Sequence, residues 1–221
     1  MTKIKTHKTP WPTKEVMNQI YEKNLWGGNE NEFYSGEGSH NPEIVEPYLQ
    51  TLKSFLSSFE NPLTVCDLGC GDFNVGQHLV KYTKQYFAID IVPDLIAHNR
   101  EKFKADNLEF QCLNIVTDEL PKGDCLILRQ VLQHLSNQEV QEILNKLKSF
   151  NYLILSEHVP TGEFIPNLDI ISGQGIRLKK KSGLDITKKP FNFKFKKEQE
   201  LLRYEFQDGK SAILTVLYEI F

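Results

Sequence analysis

The chain predicts an α/β fold on a mostly parallel sheet, and three observations carry that expectation. Short apolar runs alternate with segments of helical apolar spacing through its middle. One of those runs, Leu63–Leu68, breaks into Gly69-Cys70-Gly71 before a new apolar pattern begins at Phe73. The last two runs, Glu200–Phe206 and Ala212–Phe221, flank Asp208-Gly209 and read as an antiparallel hairpin. Strands alternating with helices pair in parallel and take ligands at their carboxyl ends. The expectation is a seven-stranded sheet with helices on both faces and a C-terminal antiparallel hairpin.

Each element follows in order. Val16, Met17, Ile20 and Tyr21 share helical spacing between Thr13 and Leu25. Trp26 to His40 carries Gly27, Gly28, Gly36 and Gly38 among aromatics and hydroxyls, so it is a loop. Its length and composition suit a lid as well as a connector. Asn41-Pro42 opens a helix whose stripe, Ile44, Val45, Tyr48, Leu49, Leu52, Phe55 and Leu56, belongs to the core. Val75, Leu79 and Val80 predict a helix after the first strand. The second strand ends at Asp90, and a helix runs from Pro93 through Phe103. Leu108–Ile115, Asp124–Leu128 and Tyr152–Ser156 are the next strands. Ser136 and Glu139 form a capping box before Val140, Ile143, Leu144 and Leu147. Pro160 to Lys197 has no helical period.

Composition narrows the function classes. With 221 residues and a net charge of −3, the chain is long enough for one core and gives no reason to expect nucleic acid. Met1 is followed by polar residues, not an apolar signal core, and no run reaches membrane-spanning length; a cytoplasmic location is expected. Cys66, Cys70, Cys112 and Cys125 lie in or beside apolar runs without a CxxC pair, as buried thiols rather than metal ligands do.

The glycine turn lets backbone approach a ligand, although glycines alone fit an empty turn equally well. Asp67 lies inside a strand where an apolar residue is normal, and Asp90 follows the next apolar run at the offset of a ribose-binding acid. A nucleoside cofactor suits the pair. A dinucleotide does not, because Asn74 stands where the third glycine of that fingerprint belongs, and acids near the turn favour a cationic ligand.

These residues resemble the first motif of the class I S-adenosylmethionine (SAM)-dependent methyltransferases, acid-x-G-x-G, on a Rossmann-like sheet. The resemblance implies SAM as cofactor and S-adenosylhomocysteine (SAH) as product. It implies cofactor contacts from Asp67, Gly69, Cys70, Gly71, Asp90 and Ile91, with Asn114 and Ile115 flanking the adenine. Arg129, Gln130, Ser35 and Gly36 are further cofactor candidates. The stretch Leu128–Ser136, L-R-Q-V-L-Q-H-L-S, is similar to phosphoethanolamine methyltransferases, in which a histidine assists deprotonation; Gln130 replaces the acid of that pattern. His134 is thus the first candidate base, followed by His158 and Tyr34. A satisfied structural histidine is the competing reading, and an unperturbed ring near about 6.5 qualifies as a base unaided.

A longer similarity, to small bacterial methyltransferases that accompany glycan-assembly enzymes, runs nearly end to end. It rests on Trp26, Gly27, Ser35, Gly36, Gly38 and Ser39, and on Asn167, Asp169, Ile170, Arg177, Leu184, Pro190, Phe191 and Asn192. It implies a saccharide or another small hydroxylated acceptor. Arg177 opens a basic stretch that is either a solvated face or a holder of an anionic acceptor, and Glu157 and Asn192 are further acceptor candidates. A metal at Glu157, His158 and Asp169 has weak support, and none is expected. RNA or protein methylation, N-methylation of a phosphobase and non-catalytic SAM binding are the alternatives. One domain is expected over 1–221, divided into N-terminal helices and lid (1–60), SAM-binding core (61–158) and acceptor-side loop with hairpin (159–221).

Overall fold

A computed structural model describes residues 11–29 and 32–221. The polar start of the chain and two residues of the glycine-rich loop lie outside that description. Seven strands form one sheet: β1 (Thr64–Leu68), β2 (Gln85–Asp90), β3 (Leu108–Cys112), β4 (Cys125–Arg129), β5 (Tyr152–Pro160), β6 (Lys197–Glu205) and β7 (Ser211–Glu219). Their order is β3-β2-β1-β4-β5-β7-β6, parallel from β3 to β5 and antiparallel across β7 and β6. The chain reverses sheet direction between β1 and β4, and that switch point opens a crevice at the carboxyl ends of both strands.

Alternation along β1 sends Cys66 and Leu68 to one face and Val65 and Asp67 to the other. The first face packs on helices α1 (Thr13–Glu22) and α5 (Asn137–Lys146) through Met17, Ile20, Val140, Ile143 and Leu144. The second packs on α3 (Pro42–Ser57) through Val45, Tyr48, Leu49 and Leu52. A four-residue helix, α2 (Glu37–His40), interrupts the glycine-rich loop, and α4 (Pro93–Lys102) links β2 to β3. Asn41 caps α3, its side chain accepting from the Glu43 N–H at 3.0 Å. Both bonds of the Ser136–Glu139 capping box are made.

One expected helix is missing. After β1 the chain makes two short 3-10 turns, Gly76–His78 and Val80–Tyr82, instead of an α-helix. Phe73 is the reason: it adopts a left-handed φ of 61° and drives its ring between Tyr86, Phe103 and Phe110. Gly76 packs so closely that a Cβ there would lie 2.4 Å from that ring. Burying the Phe73 ring outweighs a regular helix start, so no helix dipole points at the glycine turn. β5 also runs four residues past its expected end, because the antiparallel ladder with β7 extends from Tyr152↔Glu219 to Pro160↔Ser211.

Cys66 and Cys125 are buried, but Cys112 is exposed and Cys70 half-buried, which corrects the expectation of four buried thiols. Among the described residues, no helix is long and apolar enough to cross a membrane, and no cluster of three or more His, Cys, Asp or Glu is placed to hold a metal.

Candidate active site

A cavity of about 540 Å³ occupies the crevice, within the usual size of a small-molecule site. The turn after β1 forms one wall. Gly69 and Gly71 have φ of 82° and 57°, and a Cβ on either would collide with Val131 or with the Ser35 hydroxyl at 2.4 Å. Both positions therefore require glycine. The Gly69 and Cys70 N–H groups donate to the Ile89 carbonyl, and the Gly71 N–H to Asp90 Oδ2 at 3.1 Å. Asp90 Oδ1 accepts from the Val92 N–H at 3.1 Å. Each oxygen keeps a lone pair for a hydroxyl, and burial raises the Asp90 pKa above the ordinary value. Ile91, Asn114 and Ile115 also line the cavity. The Asn114 side chain is turned back to accept from the Val116 N–H at 3.0 Å, so this residue shapes a loop.

Asp67 lies deeper and accepts from the Tyr86 hydroxyl at 2.9 Å. Burial pushes its carboxyl up to about 7, while the Tyr86 bond and Arg129 pull it down. Arg129 stacks over the Tyr48 ring at 4.8 Å. Its fork donates to the Gly38 carbonyl and to Ser39 Oγ, so it pins the glycine-rich segment to β4. Gln130 adopts a left-handed φ of 57° and presses its amide against Gly38. Three buried polar atoms on the cavity wall lack partners among the described residues: Tyr48 Oη, Arg129 Nε and Gln130 Nε2. An orphaned donor of this kind is costly until a ligand or water meets it. The glycine cradle, the two acids and these donors fit a cationic nucleoside with an amino-acid tail.

The segment from Ser35 to Ser39 covers the cradle. Ser35 and Gly36 line the cavity as expected, but the residue that holds them is Asp72, which no sequence pattern marks. Asp72 Oδ2 accepts from the Ser35 N–H at 2.8 Å and pairs with His40 Nε2 at 2.6 Å, and its own N–H donates to Ser35 Oγ at 2.8 Å. Tyr21, counted as part of an apolar stripe, lines the cavity and bonds Ser35 Oγ at 2.9 Å. Asp72 directly follows the second glycine of the motif, a position with no periodicity to flag it.

His134 lines the cavity beside Trp26, with ring centres 5.3 Å apart. Its Nδ1 contacts the Gly173 carbonyl at 3.1 Å, which requires the proton there. Gln133 Nε2 approaches the other nitrogen at 3.3 Å, which receives that amide proton. Burial drives the ring pKa down to about 4, against the rise from the backbone carbonyls. The expectation of an unperturbed histidine near neutrality is thus corrected: the imidazole is neutral because protonating it inside the protein is costly.

Five candidates lie away from the cavity. Glu157 is buried, receives the Leu132 and Gln133 N–H groups at 3.0 Å each, and is pushed up to about 8 by burial. Arg177 is only 1% exposed and donates to the Leu132, Gln133 and Leu135 carbonyls and to the Asn137 side chain. Both terminal nitrogens of its fork are spent on these carbonyls and on Asn137; Nε lacks a partner among the described residues, but it is buried and Arg177 does not line the cavity. His158 stacks on Phe206 at 4.6 Å and bonds Ser211 at 2.9 Å. Tyr34 stacks on His40 and donates to Glu37 at 3.2 Å. Asn192 is exposed and bonds the Pro190 carbonyl at 3.3 Å. Asp169 accepts from the Asn137 N–H at 2.8 Å, and among the described residues it forms no metal-binding cluster with Glu157 and His158.

Comparison with known proteins finds methyltransferases. Residues 66–150, under half of the chain, match the methyltransferase domain family, and the similar proteins support a class I SAM-dependent methyltransferase. It is similar to a protein of Chlamydia pneumoniae described as an uncharacterized RNA methyltransferase, 27% identical over 156 residues, 65% of this chain and 38% of that one. It is also similar to the malonyl-[acyl-carrier protein] O-methyltransferase of Acetivibrio thermocellus, 32% identical over 99 residues, 42% of this chain and 35% of that one. The chain thus spans little more than a third of either curated relative. The N-methyltransferase NodS of Bradyrhizobium japonicum, crystallised with SAH, shares the fold with a TM-score of 0.64 at 14% identity, covering 92% of this chain and 98% of that one.

Proposed function

We propose that the protein transfers a methyl group from SAM to a hydroxyl oxygen of a saccharide or another small polar acceptor. The observation that carries this reading is the single cavity shared by the Gly69–Gly71–Asp90 cradle and His134. SAM would be held by Asp90 at the ribose, by Gly69, Cys70 and Gly71 along the sulfur-bearing chain, and by Ile91, Asn114 and Ile115 around the base. Arg129, Gln130, Ser35 and Gly36 enclose it. The sulfonium supplies an activated methyl; the protein aligns the acceptor oxygen and keeps water out.

His134 receives the acceptor's hydroxyl proton at Nε2, because Nδ1–H is committed to Gly173, once the acceptor hydroxyl displaces the long Gln133 amide contact from that nitrogen. A ring titrating at about 4 is fully neutral at working pH, so its ionisation does not limit turnover there. Trp26 beside it offers a face on which a sugar ring can stack. The relatives named above act on dissimilar acceptors, and the oxygen-methylating reading rests on this hydroxyl-accepting end of the cavity.

Calorimetry and labelled-methyl transfer test the proposal together. SAM and SAH bind and NAD does not, and a panel of sugars and sugar phosphates includes an acceptor. His134→Ala lowers kcat by about 10²–10⁴ with SAM affinity kept, and wild-type kcat shows no histidine ionisation from about pH 6 to pH 8. Absence of SAM binding ends the methyltransferase reading; a His134→Ala variant at full activity removes the base.

A further inference from the structure

The basic stretch from Arg177 to Lys197 contributes an anchor and a cation that faces the cavity. Arg177 is the anchor. The segment leading into its turn, Arg177–Lys180, is stitched to the His134 turn: the Gly173 N–H donates to the His134 carbonyl at 2.9 Å, and the His134 ring returns a bond to the Gly173 carbonyl. With the Arg177 guanidinium on the Leu132, Gln133 and Leu135 carbonyls, the two turns hold one relative position. Gln174, Gly175, Ile176 and Lys179 consequently line the same cavity as His134. Lys180, the next residue, spends its ammonium on the Asp169 carbonyl at 2.6 Å. Lys179 is exposed and has no carboxylate within ion-pair reach among the described residues.

Charge is sorted within the cavity. Asp67, Asp72 and Asp90 line it where β1 and β2 end, where a sulfonium is favoured. Glu37 accepts from Tyr34, and the guanidinium of Arg129 is bonded to Gly38 and Ser39. His134 is neutral. Lys179 is therefore the unpaired cation on the His134 side, and a neutral acceptor would leave it facing a second positive charge, the sulfonium. An anion between them removes that repulsion. We infer that Lys179 recognises an anionic group, phosphate or carboxylate, on an acceptor whose hydroxyl lies at His134. The acceptor is then a phosphorylated or acidic small molecule, and Lys179 takes the role that the sequence suggested for Arg177. A flexible ammonium suits such a group as a point charge. This inference rests on the methyl-transfer reading.

The test uses the SAH-loaded protein, titrated separately with inorganic phosphate and with acetate at constant ionic strength, reading the thermal midpoint. SAH alone is added first. Phosphate, acetate or both then raise the midpoint saturably in wild type and in Lys189→Ala, an exposed lysine outside the cavity. Lys179→Ala weakens that apparent affinity by about fivefold or more, while Lys179→Arg retains most of it. The stronger of the two anions names the group. A wild-type complex without a saturable response, or the same response in Lys179→Ala, overturns the inference. If SAH itself gives no shift, the methyltransferase reading fails first; if SAH shifts the midpoint and neither anion does, only the acceptor assignment falls.

Discussion

Burial separates Asp67 from an ordinary carboxylate. In the free protein the group titrates near about 7, so folding favours its protonated form. The sign follows: its contribution to stability is complete below the unfolded value, about 3.9, and is lost as pH rises through about 7. His134 works in the opposite sense over a lower window, since its depressed pKa costs stability as pH falls from about 6.5 toward 4. The two partly cancel in wild type, so a difference curve is the informative measurement. The thermal midpoint of Asp67→Asn falls less between about pH 5 and pH 8 than that of wild type. A bound cation reverses the preference of Asp67. SAM affinity therefore rises from about pH 6 to pH 8, by less than tenfold per pH unit, and SAH, which lacks the sulfonium charge, shows a smaller rise. Equal pH dependence for both ligands would separate Asp67 from the sulfonium.

At the scale of elements, the turn Leu132–His134 is gripped from both sides. Glu157 on β5 receives its N–H groups, and Arg177 from the irregular segment takes its carbonyls. A turn carrying the proposed base cannot drift when both its donors and its acceptors are bonded to buried side chains. Removing one side leaves the other uncompensated. Arg177→Met costs about 2–4 kcal/mol of stability, a drop in melting temperature on the order of 10 °C, and Lys does not restore the fork. Chemical denaturation checks the first figure; an unchanged midpoint would return Arg177 to ligand binding. Asn167 does comparable work downstream, bonding the Asp185 and Lys189 carbonyls and the Asp185 N–H. The motif Asn167…Arg177…Pro190 thus reads as scaffolding of the segment that forms one cavity wall.

For the whole molecule, we propose that the glycine-rich segment is the cover of the site, with Asp72, bonded to Ser35, as its latch. Ligand binding then consolidates parts of the chain that are distant in sequence. SAH at about 100 times its dissociation constant adds about 2.7 kcal/mol, raising the midpoint by roughly 5–10 °C for a chain of this length. Limited proteolysis between Trp26 and His40 slows in parallel. Asp72→Ala accelerates cleavage of the free protein and blunts the protection by SAH. Cleavage at the same rate with and without SAH would leave that segment an ordinary connector.

The sequence by itself determined the sheet, its closing hairpin, the capping box and the glycine turn with its two acids, because each depends on local periodicity or on backbone that only glycine allows. Tertiary structure decided the rest. Whether Phe73 extends a helix or leaves it depends on an aromatic pocket built by Tyr86, Phe103 and Phe110 from three other elements. Whether Arg177 or Lys179 faces the cavity depends on which carbonyls the β4 turn leaves unpaired. The protonation of His134 and Asp67 depends on how much water the assembled walls exclude. Side-chain type is written in the chain, but direction, partnership and solvent access arise only when distant segments meet.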